Sequence, residues 1–353
     1  MRSHLLTIAI PTFNRSGRLA ENLQHLQEEI VRNNLENKVA LLISDNNSND
    51  DTFEISQMYA EKFLNSGVYL QYFKNESNIG FSLNVLECYF RANSDYTLFL
   101  SDDDNLKAGF LKQLLSDIEQ YKFSAGIYNF AQAPYDEENL LIKHSGLIHG
   151  EEAFGGLASL VTWPKLSGLV LRNNHDPGRC EEIKNQISAN NVVGHVLLTI
   201  DQIRQDPVLY LSSTVAAYPD EDFRDHVNFV SYIGNYIKKD LEEYCARVSV
   251  ANSNLKLAIA GIPSRNVVLY SLQALSLFYK SQTKLTNEMK HEVISNIYRY
   301  MLGCHLNHNG LKIESPYKSF PRIRTLVYTF YLVGLAAKAR ITRKKLYLMN
   351  EAF

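Results

Sequence analysis

The first 130 residues alternate between two hydrophobic periods, and that alternation restricts the fold more than any other feature of the chain. Leu5 to Ile10 is a nearly continuous apolar run closed by Pro11, as expected of a strand buried on both faces. Leu19, Leu23, Leu26 and Ile30 then recur at helical spacing, with Ser16 placed to cap the helix. Val39 to Ser44 reads as a second strand, and a helix starting at Asp51 or Thr52 carries Ile55, Tyr59 and Phe63 on one face. The pattern continues with a strand from Val68 to Phe73 and a helix through Phe81, Val85, Leu86, Tyr89 and Phe90. A strand from Tyr96 to Leu100, a helix through Leu111, Leu114, Leu115 and Ile118, and a strand from Ala125 to Phe130 complete it. Strand and helix in turn imply parallel strands joined by right-handed crossovers. The expected class is therefore α/β, a mostly parallel, Rossmann-like sheet with helices on both faces.

Beyond residue 130 the pattern loosens. Leu140 to His149 suits a hairpin or irregular strand, Lys165 to Arg172 a strand, and 178 to 190 and 194 to 204 helices. From about 223 the spacing of Leu255, Leu257, Val267, Leu272, Leu275 and Phe278 is helical. The acidic turn YPDED divides the chain into an expected nucleotide-binding domain, 1–220, and a helical C-terminal region, 221–353. With 353 residues, 45% of them hydrophobic, the chain can bury a sizeable core. A formal net charge of -2 gives no bulk attraction to nucleic acid, and none is expected as a partner. Cys88, Cys180, Cys245 and Cys304 are scattered, with no C-x-x-C pair, which fits a reducing compartment. The apolar run before Pro11 is too short for a signal-peptide core, and no charge-free stretch reaches the roughly 20 residues of a spanning helix. A cytoplasmic protein is expected, with peripheral contact to the inner face of the cell membrane as an open option.

In an open parallel sheet, ligands sit beyond the carboxyl ends of the strands. Three polar clusters fall there: PTFNR after the first strand, DNNSND after the second and SDDDN after the fourth. In the last, Asp102, Asp103 and Asp104 are consecutive and repel one another by about 1 kcal/mol per pair near water, more where solvent is scarce. Three readings of the triplet are open. Asp104 or Asn105 could cap a helix beginning near Lys107; an acid could act as a receiver- or phosphatase-type nucleophile; or the carboxylates could hold a hard divalent ion completed by phosphate oxygens. The nearness of two other polar strand ends favours the ion.

PTFNR at 11 to 15, DNNSNDDT at 45 to 52, NESNIGFSLN at 75 to 84 and LSDDD at 100 to 104, in that order and spacing, resemble the family 2 glycosyltransferases of GT-A architecture. Their usual forms are P-T-Y-N-R, D-D-G-S-T-D-x-T, N-x-G-x-x-x-x-x-N and a D-x-D followed by another acid. The L-S-D-D-D form is nearer to bacterial surface-polysaccharide transferases, including abequosyltransferase-like members. The resemblance implies a GT-A fold and transfer of a sugar, with inversion, from a nucleotide-diphospho-sugar to a hydroxyl of a glycan acceptor. It also implies a Mn or Mg ion. Asp102 and Asp104 match the outer acids of D-x-D and take the metal, Asp102 also meeting the donor; Asp103, counted with the donor contacts, is expected to turn toward the fold. Asp45 matches the residue that hydrogen-bonds the base, although an Asx turn opening DNNSN is its local alternative. Pro11, Thr12, Asn14 and Arg15 fall at the nucleotide and phosphate contacts, Asn78 and Gly80 in the loop over the nucleoside, and Asn84 behind it.

Two departures stand out. DNNS replaces D-D-G-S, which leaves base identity open, and the helix that carries an E-D pair in many family members begins VVGHVLLTIDQI here. His195 takes the position of the missing general base, since imidazole is a competent proton acceptor at cytosolic pH; a core histidine is the alternative. Asp220, Glu221, Asp222 and Asp176 are rival bases, and Trp163 could stack on an acceptor sugar. Near the C-terminus, Thr325 to Ala337 is apolar and flanked by Arg322, Arg324, Lys338, Arg340, Arg343, Lys344 and Lys345. It is too short to span a bilayer but suits a helix lying on anionic lipid across 321–345, or a buried helix with a basic tail. On the first of these the acceptor would be lipid-linked. A non-catalytic nucleotide-sugar-binding protein and a nucleotidyltransferase are the alternatives from other classes.

Overall fold

A computed structural model describes residues 4–130, 140, 142–157, 160, 165–174, 176–186 and 194–219. Trp163, Asp220, Glu221, Asp222, the helical region from 221 onward and the basic segment 321–345 lie outside the described residues. All the described residues fall in one compact unit.

The alternation is realised as β1 (His4–Thr12), α1 (Ser16–Arg32), β2 (Val39–Asp45), α2 (Thr52–Asn65), β3 (Tyr69–Lys74), α3 (Phe81–Arg91) and β4 (Ser94–Phe99). There follow β5 (Asp104–Leu106), α4 (Phe110–Tyr121), β6 (Ala125–Phe130), β7 (Gly146–His149), α5 (Glu152–Gly156), β8 (Leu169–Arg172), α6 (Pro177–Gln186), α7 (Gly194–Gln205) and β9 (Val208–Pro219). The sheet runs β3-β2-β1-β4-β8-β6-β9-β5, with β7 also on β9. Strands β3, β2, β1 and β4 are parallel, as the alternation requires. The second half is mixed: β8 enters antiparallel between β4 and β6, and β5 and β7 run antiparallel to β9. Hydrophobic period gives a strand but not its direction, so β8 was legible as a strand and its insertion was not. Strand β9 was not anticipated, because Ser212, Ser213 and Thr214 interrupt its apolar run and its ladder with β6 is bulged there.

On one face of the sheet Leu6, Ile8, Ile10, Leu41, Ile43 and Leu98 meet Leu19, Leu23, Leu26 and Ile30 of α1 and Phe110, Leu111, Leu114 and Ile118 of α4. Each such side chain contributes about 1.5–3 kcal/mol on burial. The other face is covered by α3, which packs on β1 and β2, with α7 beside it. Pro11 sits inside β1 without breaking it. Ala9 accepts from Leu100 on the β4 side and Thr12 accepts from Asn46 on the β2 side, so the Pro11 nitrogen points toward β4, whose pairing has already ended at Ala9.

Two expected caps are replaced. Ser16 makes no side-chain cap for α1; its own N–H is taken by Asp50 from the next loop at 2.8 Å. Asp104 and Asn105 do not cap α4 either, because they are drawn into β5 against β9. The helix starts later, behind Gly109, whose N–H is taken by Glu29 of α1 at 2.7 Å.

Candidate active site

The carboxyl ends of β1 to β4 bring four polar segments to one edge of the sheet, and each is clasped to its neighbours by side chains. Asn14, in the left-handed region at φ 53°, accepts from the Asn49 N–H at 2.8 Å, while its own N–H meets Ser48 at 2.8 Å. That ties the loop after β1 to the loop after β2. Asn46 bonds Asn78 at 2.8 Å and accepts from the N–H of Ile79 at 2.9 Å, and Asn75 bonds both Asn46 and Asn84. Asn84 closes the network on the Ser44 hydroxyl and carbonyl. A run of asparagines that looks like loop composition is thus a mutually bonded scaffold for the edge, with Asn46, Asn75 and Asn84 buried and Asn78 exposed at its rim. Gly80 ends it at φ 85°, ψ 160°, a conformation essentially confined to glycine, with its N–H on Asn78.

Asp45 is fully buried, and both its oxygens are committed: Oδ1 accepts from the Ser48 N–H and hydroxyl at 2.8 and 2.6 Å, and Oδ2 from the Tyr72 hydroxyl at 2.6 Å. The expected base contact is therefore corrected to the Asx turn, with Tyr72 as its second clasp. Burial and that hydrogen bond push the Tyr72 phenol well up.

The acid triplet follows β4. Asp102 is buried; its Oδ2 accepts from Thr12 at 2.6 Å and its Oδ1 from Arg15 Nη1 at 3.0 Å. Asp103 accepts from the same Arg15 Nη1 at 2.7 Å and from Ser101 at 2.5 Å. Asp104 is buried onto the Ser167 hydroxyl at 2.6 Å. The expected orientation is inverted. Asp104 turns into the fold and Asp103, at 39% side-chain exposure, faces the mouth. Burial pushes the Asp102 carboxyl up to about 6, against the pull of Arg15 and with Asp103 adding repulsion. Burial pushes Asp104 up to about 7, against the pull of Lys165. Ser101 to Asp104 form a turn closed by the Asp104 N–H on the Ser101 carbonyl at 3.3 Å, and Asp103 sits at its exposed corner.

Ser167 and Lys165 went unrecognised in the sequence. They precede β8, which runs antiparallel to β4, so its start lies where β4 ends. Ser167 accepts the Ser101 N–H at 2.9 Å as well as holding Asp104, and Lys165 lies over the Phe130 ring. Their only signal was KLSG ahead of an apolar run, which reads as part of the strand. Phe13, 39% exposed after β1, is a second missed residue at this edge.

The same topology removes Asp176. It follows β8, whose last residue pairs with the first half of β4, so it lies at the opposite end of the sheet, where it caps the Arg179 N–H at 2.8 Å. His195 does reach the site end of the sheet, at the head of α7, but is 1% exposed and packed edge-on against Phe81 at 6.2 Å. Behind it the Gly194 N–H meets Ser82, and a Cβ on Gly194 would stand 2.6 Å from the Ser82 Cβ. An imidazole closed in this way is a core histidine, not an acceptor-side base.

Among the described residues no three His, Cys, Asp or Glu side chains form a complete metal site. Two carboxylate oxygens, Asp102 Oδ1 and Asp103 Oδ2, nonetheless converge on one cationic nitrogen. That donor set fits a small hard dication, which takes one or two carboxylates and draws its other ligands from water and phosphate. The sequence profile described as "Glycosyl transferase family 2" matches residues 7–157, which contain all of these clusters. Residues 7–157 form a family 2 glycosyltransferase domain. No curated protein sequence matches this glycosyltransferase. Among solved structures, the mannosyltransferase PcManGT from Pyrobaculum calidifontis, in complex with GDP-Man and Mn2+, superposes with a TM-score of 0.50 at 11% identity, covering 86% of each chain. TarS 1–349 of S. aureus in complex with UDP-GlcNAc superposes with a TM-score of 0.49 at 14% identity, over 85% of this chain and 91% of that one. At these identities the likeness concerns the fold, which is GT-A: a mixed sheet with helices on both faces. No helix among the described residues is long and apolar enough to cross a membrane.

Proposed function

We propose that this glycosyltransferase moves a sugar, with inversion, from a nucleotide-diphospho-sugar to a hydroxyl of a glycan acceptor, and that the acceptor is a lipid-linked intermediate of a surface polysaccharide. The observation that carries the donor assignment is the cation position built by Asp102 Oδ1 and Asp103 Oδ2 at the carboxyl edge of the sheet. In this reading Asp102 and Asp103, rather than Asp102 and Asp104, hold a Mn or Mg ion. When bound, that ion would act as a Lewis acid on the departing diphosphate. Thr12 keeps Asp102 aimed, Ser101 keeps Asp103 aimed, and Ser167 holds Asp104 behind them. Phe13 offers an exposed ring on which a base can stack. Asn78 and Gly80 shape the nucleoside side of the crevice through backbone position.

The acceptor hydroxyl attacks the anomeric carbon as its bond to the diphosphate breaks, and its proton must pass to a base on the opposite side. With His195 and Asp176 excluded by burial and position, Asp220, Glu221 and Asp222 are the base candidates. Their support is connectivity: Pro219 pairs with Asp104 across β9 and β5, and the YPDED acids follow it directly. The lipid-linked acceptor rests on the basic, apolar segment 321–345.

A thermal-shift panel of uridine, guanosine, cytidine and thymidine diphosphates, with Mn2+ or with EDTA, tests the donor assignment on the full chain. At 100 times its dissociation constant a ligand adds about 2.7 kcal/mol to stability, an upward shift of several degrees. One diphosphate should stabilise the protein in Mn2+ and not in EDTA. Equal stabilisation in EDTA would remove the ion from the reading; no stabilisation by any of the four would remove the donor.

A further inference from the structure

We infer that Arg15 is a resident counter-cation: it holds the ion position while the donor is absent and changes partners to the diphosphate when the donor arrives. A divalent ion then binds poorly by itself, and ion and donor bind cooperatively. This rests on the donor reading above and adds to it the control of the ion.

A single nitrogen, Arg15 Nη1, meets Asp102 Oδ1 at 3.0 Å and Asp103 Oδ2 at 2.7 Å. The position a dication would take is therefore filled by a guanidinium, and the two cannot share it, because like charges at that separation repel strongly. The carboxylates do not need Arg15 to keep their aim. Asp102 is also held by Thr12 through its other oxygen, and Asp103 by Ser101 through its other oxygen. Arg15 can leave without collapsing the pair.

The pair is also built to exchange. Arg15 is 34% and Asp103 39% exposed at the side chain, so solvent competes for both. The Arg179–Asp201 pair in the same domain shows the contrasting design, with side chains 8% and 2% exposed, Nε to Oδ2 at 2.6 Å and Arg204 closing the second oxygen. That one is structural; removing either partner strands a buried charge. Arg15 stands between the end of β1 and α1 and touches an oxygen of each carboxylate, so a diphosphate reaching the acids comes within its range. A guanidinium pairs with phosphate through two parallel N–H bonds, a better partner than two carboxylates sharing one nitrogen.

Mn2+ binding to the full chain, read by the electron paramagnetic resonance of the free ion, tests this without turnover. Wild type, Arg15→Gln and Arg15→Lys are titrated with Mn2+ alone and with each of the four nucleoside diphosphates of the panel. The expected result is that Arg15→Gln binds Mn2+ alone about tenfold tighter than wild type, while the gain in Mn2+ affinity on adding diphosphate, about a hundredfold in wild type, falls to about tenfold or less. Arg15→Lys, whose side chain is one atom shorter than the path to Nη1 and so reaches the two carboxylates less closely, should lie between. Should Arg15→Gln melt early, Arg15→Lys carries the test alone. Mn2+ binding alone that is unchanged or weaker in the variants would overturn the inference and leave the donor reading intact. An absence of Mn2+ binding in all three proteins, with and without every diphosphate, would overturn both.

Discussion

Replacing Asp104 by Asn removes one carboxyl from the triplet while keeping its shape and its contact with Ser167 at 2.6 Å. In the native protein burial raises this carboxyl from 3.8 to about 7. A carboxyl raised on folding binds its proton more tightly in the native state, so its stabilising contribution is complete below about pH 4 and is lost as pH climbs through 7. The difference of roughly 3 units corresponds to about 4 kcal/mol at full ionisation. Coupling to Asp102 and the loss of a partner for Lys165 reduce it, so about 2–4 kcal/mol is the working range. Near pH 4 most of this contribution is still present, and Asn should melt within about 1 kcal/mol of wild type. Near pH 8 the variant should be more stable by roughly 4–16 °C, since 1 kcal/mol shifts a domain of this size by about 2–4 °C. Circular dichroism melts in EDTA at the two pH values measure it. Equal shifts at both, or a variant less stable at pH 8, would refute the claim that this acid carries a buried charge cost in the donor-free protein.

Gly80→Ala should cost about 1–3 kcal/mol, because φ 85°, ψ 160° excludes a Cβ, and should weaken nucleoside diphosphate binding through the displaced Asn78 loop; melting and thermal-shift titration read the two effects. Tyr72→Phe strips one of the three donors on buried Asp45 and should cost about 1–3 kcal/mol, without changing which nucleoside diphosphate the panel selects. A changed base preference there would restore Asp45 to the base contact.

Much of the domain was legible because a parallel, doubly covered sheet writes itself into the period of its apolar residues. Leu6, Ile8 and Ile10 could be assigned to a buried strand, and Leu19 through Ile30 to a helix, before any coordinate, since no other arrangement buries those runs. The location of the site followed from the same order, because polar residues at successive strand ends must meet at one edge. Individual roles did not follow. Asp45 and His195 carry residue types suited to base recognition and proton transfer, but their chemistry depends on solvent access, and Tyr72 and Phe81 close them off from positions far along the chain. Asp176 failed because strand direction is invisible to hydrophobic period, and β8 runs the other way.

What the sequence by itself determined is the order of strands and helices, the set of polar ends, and the presence of three adjacent acids at one of them. Only the tertiary structure decided which acid faces outward, which cation stands there and that Ser167 and Lys165 belong to the group. The physical reason is range. Backbone period and local capping act over a few residues, whereas burial and charge pairing are settled by side chains arriving from strands that share no neighbourhood in the chain.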